Sequence, residues 1–430
     1  MTSAGRPRRV LIIVQNLPVP FDRRVWLEAT TLAEAGYLVS VISPKAKGYT
    51  ASFEVLEDVH IYRYGLPVEA RGAAGFVMEF LWCFLHTTMK TAQVALRGRG
   101  FDVLHVCNPP EIYWPLARFC KLFGRRFLFD HHDLSPEMYE AKFGASGGPA
   151  LAGLRWLERQ TFRAADLVVT TNESHKRVAV ERGGVSPRDV YVVRSGPDLA
   201  RLRVHAPDPA FRRGRRYLLV YLGEICKQDG VEHLVRAMKL LRDDFGRDDV
   251  HCVFVGGGPH QPAVKAYAEQ IGVAGLCTFT GRVSDEQLCR ILSSGDVGVD
   301  PDPRNDWSDR STMNKIMEYM FFGLPVVGYE LTENQVSAGE AALFAAPNQE
   351  PELARRIAEL LDDPARRERM SQAGRDRVRR VLSWEHSAPV LLAAYDRLWP
   401  ADDGGQIIEW ESRLARSRAR ESTSAPHDAP

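Results

Sequence analysis

Ser311, Lys315 and Glu318 stand at i, i+4 and i+7, so on a helix a hydroxyl, an ammonium and a carboxylate share one face. Ser311 is a candidate N-cap, Gly323 a left-handed stop, and Pro325 bars continuation. The spacing therefore predicts a helix followed by a buried strand through Val326-Val327. Ile316, Met317, Met320 and Phe321 supply its apolar stripe. Free amides at the helix start, with a cation and a carboxylate on the same side, suit an anion that also carries hydroxyl groups. An amphipathic surface helix would show the same pattern.

Other polar clusters sit where strands end. Asp130-His131-His132-Asp133 follows the apolar run Phe127-Leu128-Phe129, and Asn108 follows Val103-Leu104-His105-Val106. Gly256-Gly257-Gly258 follows Val253-Phe254-Val255, but it is not G-x-G-x-x-G and signals no dinucleotide. It reads as a close backbone approach to a ligand or as a plain turn. Arg23 and Arg24 lie just inside a predicted helix start, where cations oppose the dipole. An anionic ligand would compensate them, and an ion pair with Asp22 or Glu28 would do so equally well.

The elements that must position these groups alternate. Val10–Val14, Val39–Ile42, Val103–Val106, Phe127–Phe129 and Leu167–Val169 read as buried strands with helical stretches between, the pattern of a parallel, doubly wound sheet. The series restarts at Tyr217–Gly223 and runs through Val253, Thr278–Gly281, Val297–Val299 and Val326-Val327. The expected architecture is α/β, with two Rossmann-like parallel-sheet domains facing across a cleft and ligands at the carboxyl ends of the strands. The expected division is 1–198, then 199–383, with a helix near 384–398 packing back on the first domain. Residues 196–216, with three prolines and little periodicity, read as a linker. Residues 402–430 are polar and basic and read as a disordered tail.

Composition narrows the function. The chain has 430 residues, 45% of them apolar, which suits two globular domains. A formal net charge of +1 gives no basis for nucleic-acid binding. The seven cysteines are scattered with no C-x-x-C pair, so they carry no zinc signature and fit a reducing compartment. The apolar run after Arg9 is too short for a signal peptide, which fits a cytoplasmic protein. The apolar stretch 76–85, interrupted by Glu79, falls short of a membrane span. It reads as a buried helix, or alternatively as an interfacial helix at the inner membrane surface.

Four stretches in register resemble the family 4 retaining glycosyltransferases of the GT-B fold. They are Phe21-Asp22-Arg23-Arg24-Val25 with Glu28-Ala29; Asp130-His131-His132-Asp133-Leu134; Val193-Arg194-Ser195-Gly196-Pro197-Asp198; and Glu318 through Val327. The resemblance runs from about residue 10 to 398. It implies transfer of a sugar, with retention, from a nucleoside-diphosphate donor, UDP first among the candidates. It implies no metal and no bound cofactor, with protein dipoles and cations stabilising the leaving diphosphate. The acceptor it implies is a glycan or a lipid-linked or cell-surface polysaccharide intermediate.

By that resemblance His132 is the catalytic candidate, hydrogen-bonding a sugar hydroxyl, with Asp133 orienting it or receiving the acceptor proton. Glu318 binds the donor ribose, a task suited to a carboxylate facing two hydroxyls. Lys315, Ser311, Thr312, Lys227, Gly223, Gly257 and Arg282 complete the expected donor site. Arg23, Arg24 and Asn108 form the expected acceptor site. Two departures stand out. Arg310 occupies a position usually held by glutamate, with Asp306 and Asp309 as candidate substitutes or Arg310 itself meeting the diphosphate. Glu224 and Asp229 stand where cations are usual, so both are expected to point away from phosphate. The same departures also fit a degenerate binding or scaffold protein, and the fold also fits a sugar-nucleotide epimerase or a phosphorylase.

Overall fold

The computed structural model describes residues 6–399 apart from 47, 67–71, 98 and 145–146, with the side chains of 72–74 and 76 also excepted. The expected tail at 402–430 lies outside the described residues. Among the described residues two compact units are present: 6–136 with 147–193 and 388–399, and 137–144 with 194–387. The chain thus crosses between units at 193/194 and 387/388, whereas the sequence reading puts the crossings at 198/199 and 383/384. Residues 137–144 belong with the second unit, which that reading did not foresee.

The first unit is built on an eight-stranded sheet of order β3-β4-β2-β1-β5-β6-β7-β8. Its strands are β1 (Arg9–Ile13), β2 (Leu38–Lys45), β3 (Phe53–Leu56), β4 (Val59–Gly65), β5 (Val103–Cys107), β6 (Arg126–His131), β7 (Leu167–Thr170) and β8 (Val190–Val192). Its helices are α1 (Arg23–Glu34), α2 (Gly72–Leu96), α3 (Trp114–Lys121), the start of α4 (Ser135–Phe143), α5 (Pro149–Ala164) and α6 (Glu173–Glu181). All pairings are parallel except β3 with β4. The sequence reading missed that hairpin because its turn, Glu57-Asp58, takes positive φ at two residues without glycine, and β3 is a half-exposed edge strand.

The second unit holds a six-stranded parallel sheet of order β11-β10-β9-β12-β13-β14. These are β9 (Tyr217–Leu222), β10 (Val250–Val255), β11 (Cys277–Gly281), β12 (Val297–Asp300), β13 (Val326–Tyr329) and β14 (Ala342–Ala345). Helices α7 (Val231–Asp243), α8 (Gln261–Gln270), α9 (Asp285–Ser294), α10 (Asn314–Phe322), α11 (Thr332–Ala338), α12 (Glu350–Asp362) and α13 (Pro364–Arg377) cover it, and α14 (Trp384–Arg397) follows. The fully buried runs Val10–Ile13 and Leu218–Tyr221 show why these segments become central strands. Each such side chain contributes about 1.5–3 kcal/mol through burial.

The segment 196–216 is not a loose linker. A Cβ at Gly196 would overlap the Leu382 carbonyl oxygen, Leu202 enters the core, and Arg212 pairs with Asp296 at 2.5 Å. Its arginines have acids waiting for them in the second unit. In the first unit, the end of α14 is anchored by Tyr395, whose ring meets Tyr37 edge-on at 5.5 Å. Helix α2 corrects the expectation of a buried helix. Cys83, Thr87, Thr91 and Val94 are buried, while Val77, Met78, Leu81, Trp82, Leu85 and Met89 form an exposed apolar stripe.

Candidate active site

In the first unit β1 lies between β2 and β5, the switch point of a doubly wound sheet. Helix α1 starts beyond the end of β1, capped by Asp22, whose Oδ1 accepts from Val25 N at 3.1 Å. Arg24 is turned inward. Its Nε and Nη2 donate to Asp130 at 3.0 and 2.8 Å, its Nη1 donates to the Val193 carbonyl at 2.7 Å, and Nη2 lies 3.1 Å from Glu28. Arg24 is therefore an internal ion-pair partner, which corrects its assignment to the acceptor. Arg23 is exposed.

Asp130 also meets His132 Nδ1 at 3.0 Å. Burial alone would raise the Asp130 carboxyl, but Arg24 and His132 hold it well below the usual range. Asp130 is thus ionised and accepts from Nδ1–H, which leaves Nε2 for chemistry. Burial pulls the His132 imidazole down, and the adjacent Asp130 outweighs it and moves the group up.

Asn108 clamps the loop that carries these groups. Its Oδ1 accepts from His132 N (2.8 Å) and Asp133 N (3.1 Å), and its Nδ2 donates to Glu111 and to the Asp133 carbonyl. With its polar atoms engaged and 1% exposure, Asn108 holds the loop instead of contacting an acceptor. Asp133 lies on the same loop, its Oδ1 accepting from Leu134 N.

Glu28, His105, Cys107 and Asp130 place donor atoms within 4.8 Å of one another, and zinc accepts all four types. However, the Arg24 guanidinium already bonds both Asp130 oxygens and reaches Glu28. A divalent ion would have to displace that cation, and the groups are arranged as an ion-pair cluster around the guanidinium.

In the second unit the switch point lies at β9, between β10 and β12. Lys315 sits beside it. Its Nζ is 3.0 Å from Asp300 and 2.6 Å from Asp302, at the end of β12, and 5.1 Å from the Tyr221 ring of β9. Burial pushes the Asp302 carboxyl well up, with Asp300 adding to it, while Lys315 holds Asp300 down against burial. The lysine charge is thus already met by acids that sequence reading missed.

Tyr319 joins the two strands, accepting from Leu222 N at 2.7 Å and donating to the Val299 carbonyl at 3.2 Å. Gly298 leaves room for its ring, which a Cβ would overlap.

Helix α10 begins at Asn314 without a side-chain cap, and Gly323 ends it at φ 75°. Ser311 lies outside the helix and donates to the Trp307 carbonyl at 2.7 Å, which corrects its capping role. Thr312 is half-buried beside it. Phe322 is buried and Phe321 only partly so, a shift of one position in the expected stripe. Glu318 pairs with Arg201 at 3.1 Å, and Arg201 also meets Asp285 at 3.0 Å. Arg201 was missed because it lies in the segment that read as a linker.

Arg310 lies 3.4 Å from buried Glu137 and 4.0 Å from Asp306. Asp309 accepts from the Thr332 amide and hydroxyl at the start of α11.

The turns after β9 and β10 pack backbone on backbone. Gly223 N donates to Val255 O and Ile225 N to Gly257 O. A Cβ at Gly256 would overlap Gly223 O, and one at Gly258 would overlap Ile225 O. At Gly257 a Cβ would meet nothing closer than 3.8 Å, so the fold does not require that glycine. Asp229 turns back to accept from Cys226 N at 2.8 Å. Glu224, Lys227 and Arg282 are exposed, and Gly223 lies beside Lys315.

Comparison with known proteins agrees with this architecture. The model of Glycosyltransferase Family 4 matches residues 22–201, and that of Glycosyl transferases group 1 matches residues 216–363. The 2-deoxystreptamine glucosyltransferase of Streptomyces kanamyceticus is 28% identical over 252 residues, 56% of this chain and 63% of that protein. The match thus spans less than two thirds of that relative's length. Among solved structures, sucrose-phosphate synthase from Thermosynechococcus elongatus superposes with a TM-score of 0.72 at 18% identity, covering 91% of this chain and 99% of that one. Anabaena Alr3699/HepE in complex with UDP-glucose gives 0.66 at 14% identity, covering 90% and 99%. The chain belongs to the family 4 glycosyltransferases and has their GT-B fold.

Proposed function

We propose that this protein is a retaining glycosyltransferase that moves a sugar from a nucleoside-diphosphate donor, UDP-linked by preference, to a glycan or lipid-linked acceptor without a metal. The observation that carries the reading is Glu318, held by Arg201 on the helix that follows β12 at the switch point. A carboxylate fixed by an arginine is oriented to accept from the two ribose hydroxyls. The uncapped start of α10 supplies amides to the diphosphate, and Gly257, glycine without a need in the fold, admits the donor closely. Lys315 contributes from beneath Gly223, and with its charge shared by Asp300 and Asp302, Lys227, Arg310 and Arg282 supplement it. Ser311 and Thr312 remain on the approach to α10. That a neighbouring fold, HepE, was solved with UDP-glucose supports a UDP donor.

In this reading the leaving diphosphate takes the acceptor proton as the new bond forms on the same face. His132 Nε2 hydrogen-bonds the transferring sugar, Asp133 assists, and Arg23 attracts an acceptor phosphate. The exposed stripe of α2, with Lys90 and Arg97 near its end, makes peripheral contact with an anionic membrane surface where a lipid-linked acceptor resides.

A thermal-shift screen across UDP-, GDP- and ADP-sugars tests the reading. A true donor at 100 times its Kd adds roughly 2.7 kcal/mol of stability. Glu318→Ala removes that shift. An intact shift in the variant would end the ribose assignment, and no shift with any donor would favour the degenerate binding protein.

A further inference from the structure

One acid of α1 has no task in the chemistry above. Glu28 is fully buried, and neither of its carboxylate oxygens has a hydrogen-bond donor among the described residues. Arg24 Nη2 lies 3.1 Å from one oxygen and His105 Nε2 3.6 Å from the other. His105 Nε2 also has no hydrogen-bond partner among the described residues, and its Nδ1 meets the Tyr395 hydroxyl at 2.8 Å. The groups facing Glu28 are Asp22 and Arg24 from α1, His105 and Cys107 from β5, Asp130 from β6, His132 beyond it, and Tyr395 from α14.

Most of these groups hold one charge state near neutrality. Arg24 is always charged. Asp130 is ionised between Arg24 and His132. Burial keeps the Cys107 thiol and the Tyr395 phenol protonated and lowers the His105 imidazole to about 4. Asp22 is moved up by burial. Glu28 is different, because burial and Asp130 push it up to about 8 against the pull of Arg24.

We propose that Glu28 is a positioning residue that sets, through Arg24 and Asp130, whether the His132 imidazole carries a charge. The guanidinium is shared. With Glu28 neutral, Arg24 is committed to Asp130, which then draws less on His132 Nδ1–H, and the neutral ring accepts at Nε2. With Glu28 ionised, Arg24 is divided, Asp130 presents more negative charge to the ring, and the imidazolium donates at Nε2. The proton on Glu28 thereby selects which kind of hydrogen bond His132 offers.

The inference rests on the transferase reading for its meaning, but its test needs no turnover. The full chain is labelled with 15N-histidine, His132 is assigned by comparison with His132→Asn, and the ring is titrated by NMR. Glu28→Gln fixes the neutral state, so the His132 ring of that variant titrates in one step, without the second step that ionisation of Glu28 imposes on the unmodified protein. A His132 titration curve in folded Glu28→Gln that is identical to that of the unmodified protein overturns the proposal. Should that variant not fold, the unmodified protein decides. Its His132 signal must titrate in two steps, the second coinciding with a 13C-carboxyl glutamate signal that remains protonated at neutral pH, and a single step overturns the proposal. Stoichiometric zinc in the purified protein would overturn it too, since Arg24 could not then occupy the cluster. Failure of every nucleotide sugar to shift thermal stability would retire the transferase reading and leave the titration result standing.

Discussion

Asp130 is shared by Arg24 and His132, and its loss would remove the carboxylate that both of them bond. Arg24 and His132 both bond Asp130, and the carboxylate and the guanidinium are buried. Replacing the carboxylate leaves a buried guanidinium with a divided partner, a change that costs about 3–5 kcal/mol. Asp130→Asn is therefore expected to lower the urea midpoint strongly, and a variant as stable as the parent would contradict the ion-pair reading. Acid acts in the same direction. Because Asp130 is held below the ordinary carboxylate range, its stabilisation is complete above that range and is lost as pH falls through the depressed value. His132 and its loop were visible in the sequence as a polar cluster after an apolar run. The inward turn of Arg24 was not, because the spacing of Arg23 and Arg24 says only that neighbouring side chains on α1 diverge. Which of them meets Asp130, 106 positions away, depends on how α1 lies on the sheet.

At the scale of elements, strands β9 and β12 and helix α10 are held together by Tyr319 and by the glycine that faces it. Two substitutions separate a glycine that the fold requires from one that it does not. Gly298→Ala puts a methyl group into the Tyr319 ring and should destabilise by about 1–3 kcal/mol in chemical unfolding. Gly257→Ala, with no neighbour closer than 3.8 Å, should leave the unfolding curve almost unchanged while weakening the donor-induced thermal shift. Equal destabilisation by the two would refute the distinction. The glycine turns after β9 and β10 were legible as turns. Their mutual packing was not, since a glycine required by another backbone and one with open space beside it are the same letter. The start of α10 moved from Ser311 to Asn314 for a similar reason: the Ser311 hydroxyl found the Trp307 carbonyl, a local bond that competes with capping.

For the molecule as a whole, the α2 stripe is the feature that composition foreshadowed but could not orient. No described helix is long and apolar enough to cross a membrane. Met78, at 71% exposure, and Leu81, at 64%, nevertheless leave an apolar surface on one face. The protein should co-float with vesicles containing anionic lipid, less so with neutral vesicles or at high salt. Leu81→Asp with Leu85→Asp should abolish flotation without changing the melting temperature. Flotation unaffected by that pair would remove α2 from membrane contact.

The sequence by itself determined the two alternating β/α series, the strand ends that carry the polar clusters, and the family. All three follow from short-range periodicity and from motifs that recur in order. Only the tertiary structure decided the charge partners: Arg24 with Asp130, Lys315 with Asp300 and Asp302, and Glu318 with Arg201. It also decided that buried Glu28 and His105 meet at 3.6 Å, and which face of α2 stays bare. The physical reason is the same throughout. Hydrophobic period is written along the chain, whereas a buried charge is answered by whatever the sheet order brings beside it, and that order is a property of the fold.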